Sequence, residues 1–248
     1  MLALTLAHAS QLQPQAADIG LNCLHPSERQ RWQSFGSSKR RDEFLCGHWL
    51  MRQLLQQELG GQCSDWEIES HPGQPPRLVG MPQLFLSISH SHGWLAAAVA
   101  DTPLGIDIER QQQRDNLPQL LQMVAHEREQ QAIASLAGAQ AQASGFTRSW
   151  TLKEAWLKQH GYGLDYELMR RLQYVAEEPE HANAQSWQST EHSFWLALVH
   201  AEAGSCQASG LDLQPGGCWH IAPAEPDCAG QVAESSASGI QEAKQPLE

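Results

Sequence analysis

Two short stretches of this chain hold the residue types from which metal-assisted phosphate chemistry is built. In Gly105-Ile106-Asp107-Ile108-Glu109 the isoleucines alternate with the acids, so a strand here puts Asp107 and Glu109 on one face. Two neighbouring carboxylates repel unless a cation offsets them, and oxygen-only ligands favour a hard one such as Mg²⁺. Taken alone, the pair reads equally well as an edge strand with a solvated acidic face. The second stretch is Trp150-Thr151-Leu152-Lys153-Glu154-Ala155-Trp156-Leu157-Lys158. As a helix it places Trp150, Glu154 and Lys158 on one face. An isolated Glu154–Lys158 pair would be a surface ion pair worth about 0.3–0.5 kcal/mol. Joined to Asp107 and Glu109, Glu154 completes a partial Mg²⁺ set that keeps waters and takes its remaining ligands from a phosphate, with Lys153 and Lys158 beside it to balance charge.

These residues need a scaffold, and the pattern along the chain supplies one. Leu2, Leu4 and Leu6 alternate as a strand rather than a signal peptide, because no basic segment precedes them. A helix starts near Pro26, with Ser27 as its expected cap, and a longer one runs from about Lys39 to Leu59, stopped by Gly60-Gly61. Trp66 to Ser70 reads as a strand, and His71-Pro72-Gly73-Gln74-Pro75-Pro76 as a turn-rich connector. Leu84–His90, Trp94–Ala100 and the Asp107 strand follow as an antiparallel meander. Helices are expected over Leu120–Leu136 and Phe146–Gly161, joined by a flexible stretch at 137–145, then strands near 172–176, 186–189 and 194–200. The fold class is therefore α+β, in two lobes meeting near Pro103: residues 1–103, residues 104–200 with the metal site, and an extension at 201–248 that looks disordered from about Pro223.

Composition narrows the function. The formal net charge is −12, concentrated in the C-terminal third, whereas Arg29 to Arg52 holds a local excess of bases that suits a phosphate ligand or an acidic partner better than a nucleic-acid track. The six cysteines show no Cys-x-x-Cys or zinc-finger spacing, so reduced thiols and a cytoplasmic location are expected. No apolar run approaches transmembrane length.

Taken in order, Ser87-Ile88-Ser89-His90-Ser91, Gly105-Ile-Asp107-Ile-Glu109 and Trp150-Thr-Leu-Lys153-Glu154-Ala155-Trp-Leu-Lys158 resemble the Sfp-type 4′-phosphopantetheinyl transferases over about residues 20–200. That resemblance implies two similar α+β lobes related by a pseudo-twofold, in one monomer, with coenzyme A in the cleft between them. It implies transfer of phosphopantetheine from coenzyme A to a serine of an acidic acyl or peptidyl carrier protein, leaving 3′,5′-ADP. Position by position, it implies Asp107, Glu109 and Glu154 as Mg²⁺ ligands and Lys158 as a phosphate contact. Ser89 and His90 would bind coenzyme A phosphates, Arg31 the 3′-phosphate, and Gly73 and Pro75 would form the family's Gly-Lys-Pro loop. Lys153 would lie beside the phosphates. Glu129, or else Glu127, would be the general base.

The chain departs from the family in two places. Gln74 stands where the loop's lysine is expected and Glu28 where a second base is expected, leaving Arg29, Arg41 and Arg77 as candidates to compensate. Two other functions fit the residues: a Mg²⁺-dependent phosphohydrolase acting on coenzyme A or a related pyrophosphate, and a non-catalytic coenzyme A or carrier-binding protein.

Overall fold

The structure is a computed structural model and describes residues 1–15, 21–206, 208 and 213–224. The first lobe contains β1 (Leu2–His8), α1 (Ala9–Gln15), α2 (Leu21–Cys23), α3 (Pro26–Ser34), α4 (Ser38–Leu59), β2 (Ile68–Glu69), β3 (Arg77–Leu78), β4 (Phe85–Ser91) and β5 (Trp94–Ala100). The second contains β6 (Gly105–Arg110), α5 (Leu117–Val124), α6 (Glu127–Ala134), α7 (Ala139–Gln159), α8 (Tyr166–Arg171), β7 (Leu172–Ala176), β8 (Ala184–Ser189), β9 (Phe194–Val199) and β10 (Gln214–Pro223). Each lobe has a five-stranded antiparallel sheet, ordered β1-β5-β4-β3-β2 and β6-β9-β8-β10-β7.

Strand β5 shows how the layers are held. Leu95, Ala97 and Val99 pack with Leu50, Leu54 and Leu55 of α4, while Ala96, Ala98 and Ala100 on the opposite face join Ile106, Ile108, Leu196 and Leu198 of the second sheet. The strand is buried on both faces and carries small residues where the two sheets must approach. On the far side of the second sheet, Leu152, Ala155, Trp156 and Leu157 of α7 complete a separate core with Ala197 and Val199.

The expected meander does not form. Strands β4 and β5 are a hairpin, but β6 pairs with β9 in the second sheet. The free edge of β5 is taken by β1, from Leu2 opposite Ala100 to His8 opposite Trp94, so the chain leaves the first sheet after Pro103. Leu120–Leu136 is likewise two helices. Ala125 is extended and the His126 side chain accepts from the Arg128 amide to cap α6. The stretch at 137–145 is helical from Ala139. The Cys218–Ile221 island, read as part of an extension, is a strand between β8 and β7, with Ile221 fully buried; the expectation of disorder beyond Pro223 falls outside the described residues apart from Ala224. At α3 the cap is His25, not Ser27: its ring accepts from the Ser27 amide while Glu28 reaches back to the His25 amide.

Gly105 sets the distance between β6 and α7. A Cβ there would lie 1.9 Å from the Ala155 carbonyl oxygen and 2.5 Å from the Gln159 amide nitrogen, both backbone atoms that cannot swing aside. Gly105→Ala should therefore cost about 3 kcal/mol in urea unfolding by forcing α7 away from the acid strand. A loss under about 0.5 kcal/mol, the range of an ordinary surface substitution, would contradict this close approach.

Candidate active site

The acids of β6 are held by β4 and α7 together. Lys158 Nζ on α7 donates to Asp107 Oδ1 at 2.6 Å and to Ser89 Oγ at 2.9 Å, and Ser89 Oγ donates to Asp107 Oδ1 at 2.7 Å. Ser91 Oγ donates to Glu109 Oε2 at 2.9 Å. Burial, then the neighbouring Asp107 charge, pushes the pKa of Glu109 up to about 7; the same two causes in the same order push Glu154 up to about 7. Burial would lower the pKa of Lys158, but Asp107, Glu154 and Glu109 outweigh it and raise it. The cluster thus combines an ammonium group that stays charged with two carboxylates that resist ionising.

Among the described residues no three His, Cys, Asp or Glu side chains converge closely enough to hold a metal, and Lys158 lies against Asp107 instead. The unsatisfied groups fit a hard cation all the same. Asp107 is 1% exposed and its Oδ2 has no hydrogen-bond partner among the described residues, an arrangement that is costly for a carboxylate. The groups around it, Glu109 and Glu154, offer only oxygens.

Lys158 also lines a cleft of about 260 Å³ formed by both lobes. The second lobe adds Gly161-Tyr162-Gly163, and the first adds Arg31, Arg40, His90 and the Gly73-Gln74-Pro75-Pro76 loop. Arg31 donates to Ser70 Oγ at 2.8 Å and to the His71 carbonyl at 3.1 Å, tying α3 to the root of that loop. Gly73 has a positive φ of 71°, the left-handed conformation glycine adopts without strain. Burial, followed by the charges of Arg40, Lys158 and Lys39, lowers the His90 pKa to about 4. The ring is therefore neutral near pH 7 and sits in a positive field suited to an anion. A second polar cavity, of about 380 Å³, is bordered by Arg40, Glu43 and His90 as well as Ser91 and Glu109.

Several expected site residues come together here: Arg31, Gly73, Pro75, His90 and Lys158 at the cleft, with Asp107 reached through Lys158 and Glu109 at the second cavity. Ser89 lies beneath, its hydroxyl turned to Asp107. Lys153 and Glu129 are elsewhere. Lys153 is fully buried and donates to Glu129 Oε2 at 2.6 Å and to the Val124 carbonyl at 2.8 Å. It precedes Glu154 by one helical position, about 100° around α7, and so faces α5 and α6 rather than a phosphate. Glu129 also accepts from Ser149 and borders a different cavity, with Arg148 and Tyr174; Glu127 is exposed at the start of α6. Neither glutamate lines the cleft.

Glu28 is fully buried behind the cleft and is held by His48 and Arg52, so it is part of the scaffold. The candidates for the cation missing at Glu28 lie outside the cleft lining, Arg29 donating to the Leu21 carbonyl and Arg41 to that of Phe35; Arg77, the candidate for the cation missing at Gln74, lies on β3 and also outside the lining. The further cation that lines it, beside Arg31 and Lys158, is Arg40, donating to His90 Nε2 at 3.2 Å. Its signal was present in the sequence: Arg40, Glu43, Phe44, Gly47 and His48 follow the i, i+3, i+4, i+7, i+8 spacing of one helix face. All five line the cleft.

Comparison with known proteins bears on this arrangement. Residues 103–209 match the sequence model of the 4′-phosphopantetheinyl transferase superfamily. The 4′-phosphopantetheinyl transferase Sfp of Bacillus subtilis (strain 168) is 25% identical over 60% of this chain and 65% of its own length. The 4′-phosphopantetheinyl transferase HetI of Nostoc sp. (strain PCC 7120) is 34% identical over 62% of this chain and 65% of its own. The matched stretch therefore spans just under two thirds of either relative. A crystal structure of a holo-(acyl-carrier-protein) synthase from Bacillus anthracis, in complex with CoA (3′,5′-ADP), aligns with 40% of this chain and 91% of its own at 20% identity and a TM-score of 0.34. The stretch of this chain that is similar to the 4′-phosphopantetheinyl transferase superfamily, residues 103–209, contains Asp107, Glu109, Glu154 and Lys158.

Proposed function

We propose that this protein transfers the 4′-phosphopantetheine group of coenzyme A to a serine of an acyl or peptidyl carrier protein, releasing 3′,5′-ADP. The observation that carries the reading is the pairing of Lys158 with Asp107 at the edge of a cleft whose other wall holds Arg31, Arg40 and His90. The names of Sfp and HetI support the same activity.

In this reading Arg31, Arg40 and His90 receive the phosphates of coenzyme A, with guanidinium forks suited to phosphate oxygens. Lys158 neutralises charge on the pyrophosphate and on the departing 3′,5′-ADP. The serine hydroxyl gives up its proton to solvent and forms a bond to the phosphorus that carries pantetheine as the bond to the ADP phosphate breaks, releasing 3′,5′-ADP. Asp107, Glu109 and Glu154 would hold Mg²⁺, which when bound supplies Lewis-acid stabilisation of charge on the phosphoryl oxygens. Glu129 is engaged by Lys153 and Ser149 and stands outside the cleft lining, so it is not assigned as the base. The partner is an acidic carrier and the working form a cytoplasmic monomer, with residues 1–103 as one lobe and residues 104–200, completed by β10, as the other.

The test is incubation with coenzyme A, Mg²⁺ and apo carriers of the fatty-acid, polyketide and nonribosomal-peptide classes in parallel. Intact mass spectrometry should show one phosphopantetheine added to at least one carrier. Coenzyme A cleavage without a carrier would favour a phosphohydrolase, and unchanged masses on all carriers would overturn the transferase.

A further inference from the structure

The strand Ser87-Ile88-Ser89-His90-Ser91 makes a side-chain seam between the lobes. Strand β6 is the edge of its sheet, and the amides on its outer side would otherwise be unpaired. Ser87 Oγ accepts from the Ile106 amide at 3.1 Å, Ser89 Oγ from the Ile108 amide at 3.3 Å, and Ser91 Oγ from the Arg110 amide at 3.1 Å. Three hydroxyls from alternate positions of one strand thus stand in for the carbonyls of a missing neighbour.

Two of the three do more. Ser89 also donates to Asp107 Oδ1, and Ser91 to Glu109 Oε2. A serine hydroxyl has one donor and two acceptor sites. In Ser89 all three are used, by Asp107, the Ile108 amide and Lys158, and its residue is only 5% exposed. No capacity remains for a phosphate of coenzyme A. Ser87 has the backbone contact but, among the described residues, no carboxylate partner.

We propose that Ser89 and Ser91 are positioning residues for the cation site: each grips the β6 backbone and, through the same oxygen, orients the adjacent acid. This places Ser89 behind Asp107 rather than against coenzyme A. The proposal rests on reading Asp107, Glu109 and Glu154 as the cation ligands. Groups that orient metal ligands from behind typically change metal affinity by about 10–100-fold when removed.

The full chain and its variants can be titrated with Mn²⁺ by electron paramagnetic resonance in the absence of coenzyme A, and with coenzyme A in EDTA by calorimetry. Ser89→Ala and Ser91→Ala should each weaken Mn²⁺ binding about tenfold and leave metal-free coenzyme A affinity within about twofold. Ser91→Thr, which keeps a hydroxyl, should recover most of the Mn²⁺ affinity and so separates loss of the contact from loss of the fold. Ser87→Ala removes the backbone contact alone and should bind Mn²⁺ within about twofold of the parent. Weakened coenzyme A binding with unchanged Mn²⁺ affinity in Ser89→Ala would overturn the proposal in favour of a phosphate contact. An equal loss of Mn²⁺ affinity in Ser87→Ala would overturn it in favour of simple lobe stitching. A parent chain that binds no Mn²⁺ would remove the cation site itself, whereas one that binds Mn²⁺ as described but transfers nothing would remove only the transferase reading.

Discussion

Glu154→Gln should leave the metal-free protein more stable than the parent near pH 8 while reducing phosphopantetheine transfer by at least about 100-fold. The stability gain follows from the raised pKa of the acids. Burial and Asp107 hold Glu109 and Glu154 at about 7 in the folded protein, whereas an unconstrained glutamate ionises near 4.5. As pH rises between these values, the unfolded chain releases protons that the folded chain retains. The contribution of these two acids to stability is therefore greatest below about 4.5 and falls as pH rises towards about 7. Glutamine carries no charge and removes the contribution of Glu154 to that fall, worth about 1–3 kcal/mol, or several degrees in Tm.

The same substitution removes one of the oxygens proposed to hold Mg²⁺. Adding Mg²⁺ should then stabilise the parent at pH 8 more than at pH 5, and should stabilise Glu154→Gln less than the parent. Thermal unfolding from pH 4 to 9, with and without Mg²⁺, reads both effects. A variant no more stable than the parent at pH 8 would show that Glu154 is not under this electrostatic load.

Glu28→Ala should be among the most damaging single substitutions in the first lobe, although Glu28 does not line the cleft. The carboxylate is fully buried and receives Arg52 through both guanidinium nitrogens, at 3.0 and 2.6 Å, His48 Nδ1 at 2.5 Å and the His25 amide at 2.7 Å. Burial would raise its pKa, but the hydrogen bonds and charges of His48 and Arg52 outweigh that and lower it. Removing the acid leaves Arg52, itself 1% exposed, without its counter-charge. That costs about 3–5 kcal/mol, measurable by urea unfolding.

Because the folded pKa lies below the ordinary value, the stabilisation from Glu28 is present above about 4.5 and is lost as pH falls through the folded pKa. The difference between parent and Glu28→Ala should therefore shrink in acid. The damage should reach the cleft as well, since His48 lines it and packs on Phe44 with ring centres 4.1 Å apart. A penalty below about 1 kcal/mol would mean that the cluster relaxes freely once the acid is gone.

The elements with a strong local pattern were legible in the sequence. The α4 helix has a capping serine and a terminal glycine, and the alternation in β6 put Asp107 and Glu109 on one face before any tertiary contact was known. Four-residue spacing paired Glu154 with Lys158. The elements misread were those whose state depends on a distant partner. Nothing local in β6 says that β1 already occupies the edge of β5, and nothing in the Gly-rich stretch before Cys218 says that β7 and β8 leave a gap for a strand.

The same division runs through the site. Residue type and spacing determined that this chain has three acids and a lysine suited to a cation and a phosphate, because alternation and helical period follow from backbone geometry alone. Only the tertiary structure decided which neighbouring groups share a space. One step along α7 separates Lys158's partner Glu154 from Lys153, which turns into the second lobe and takes Glu129 with it. The charge of Glu28 likewise made it look like a lost phosphate contact, whereas burial with His48 and Arg52 makes it structural. The hydroxyl of Ser89 was expected at a phosphate; its direction was set by the free amide edge of β6, which exists only because the chain crosses from one sheet to the other.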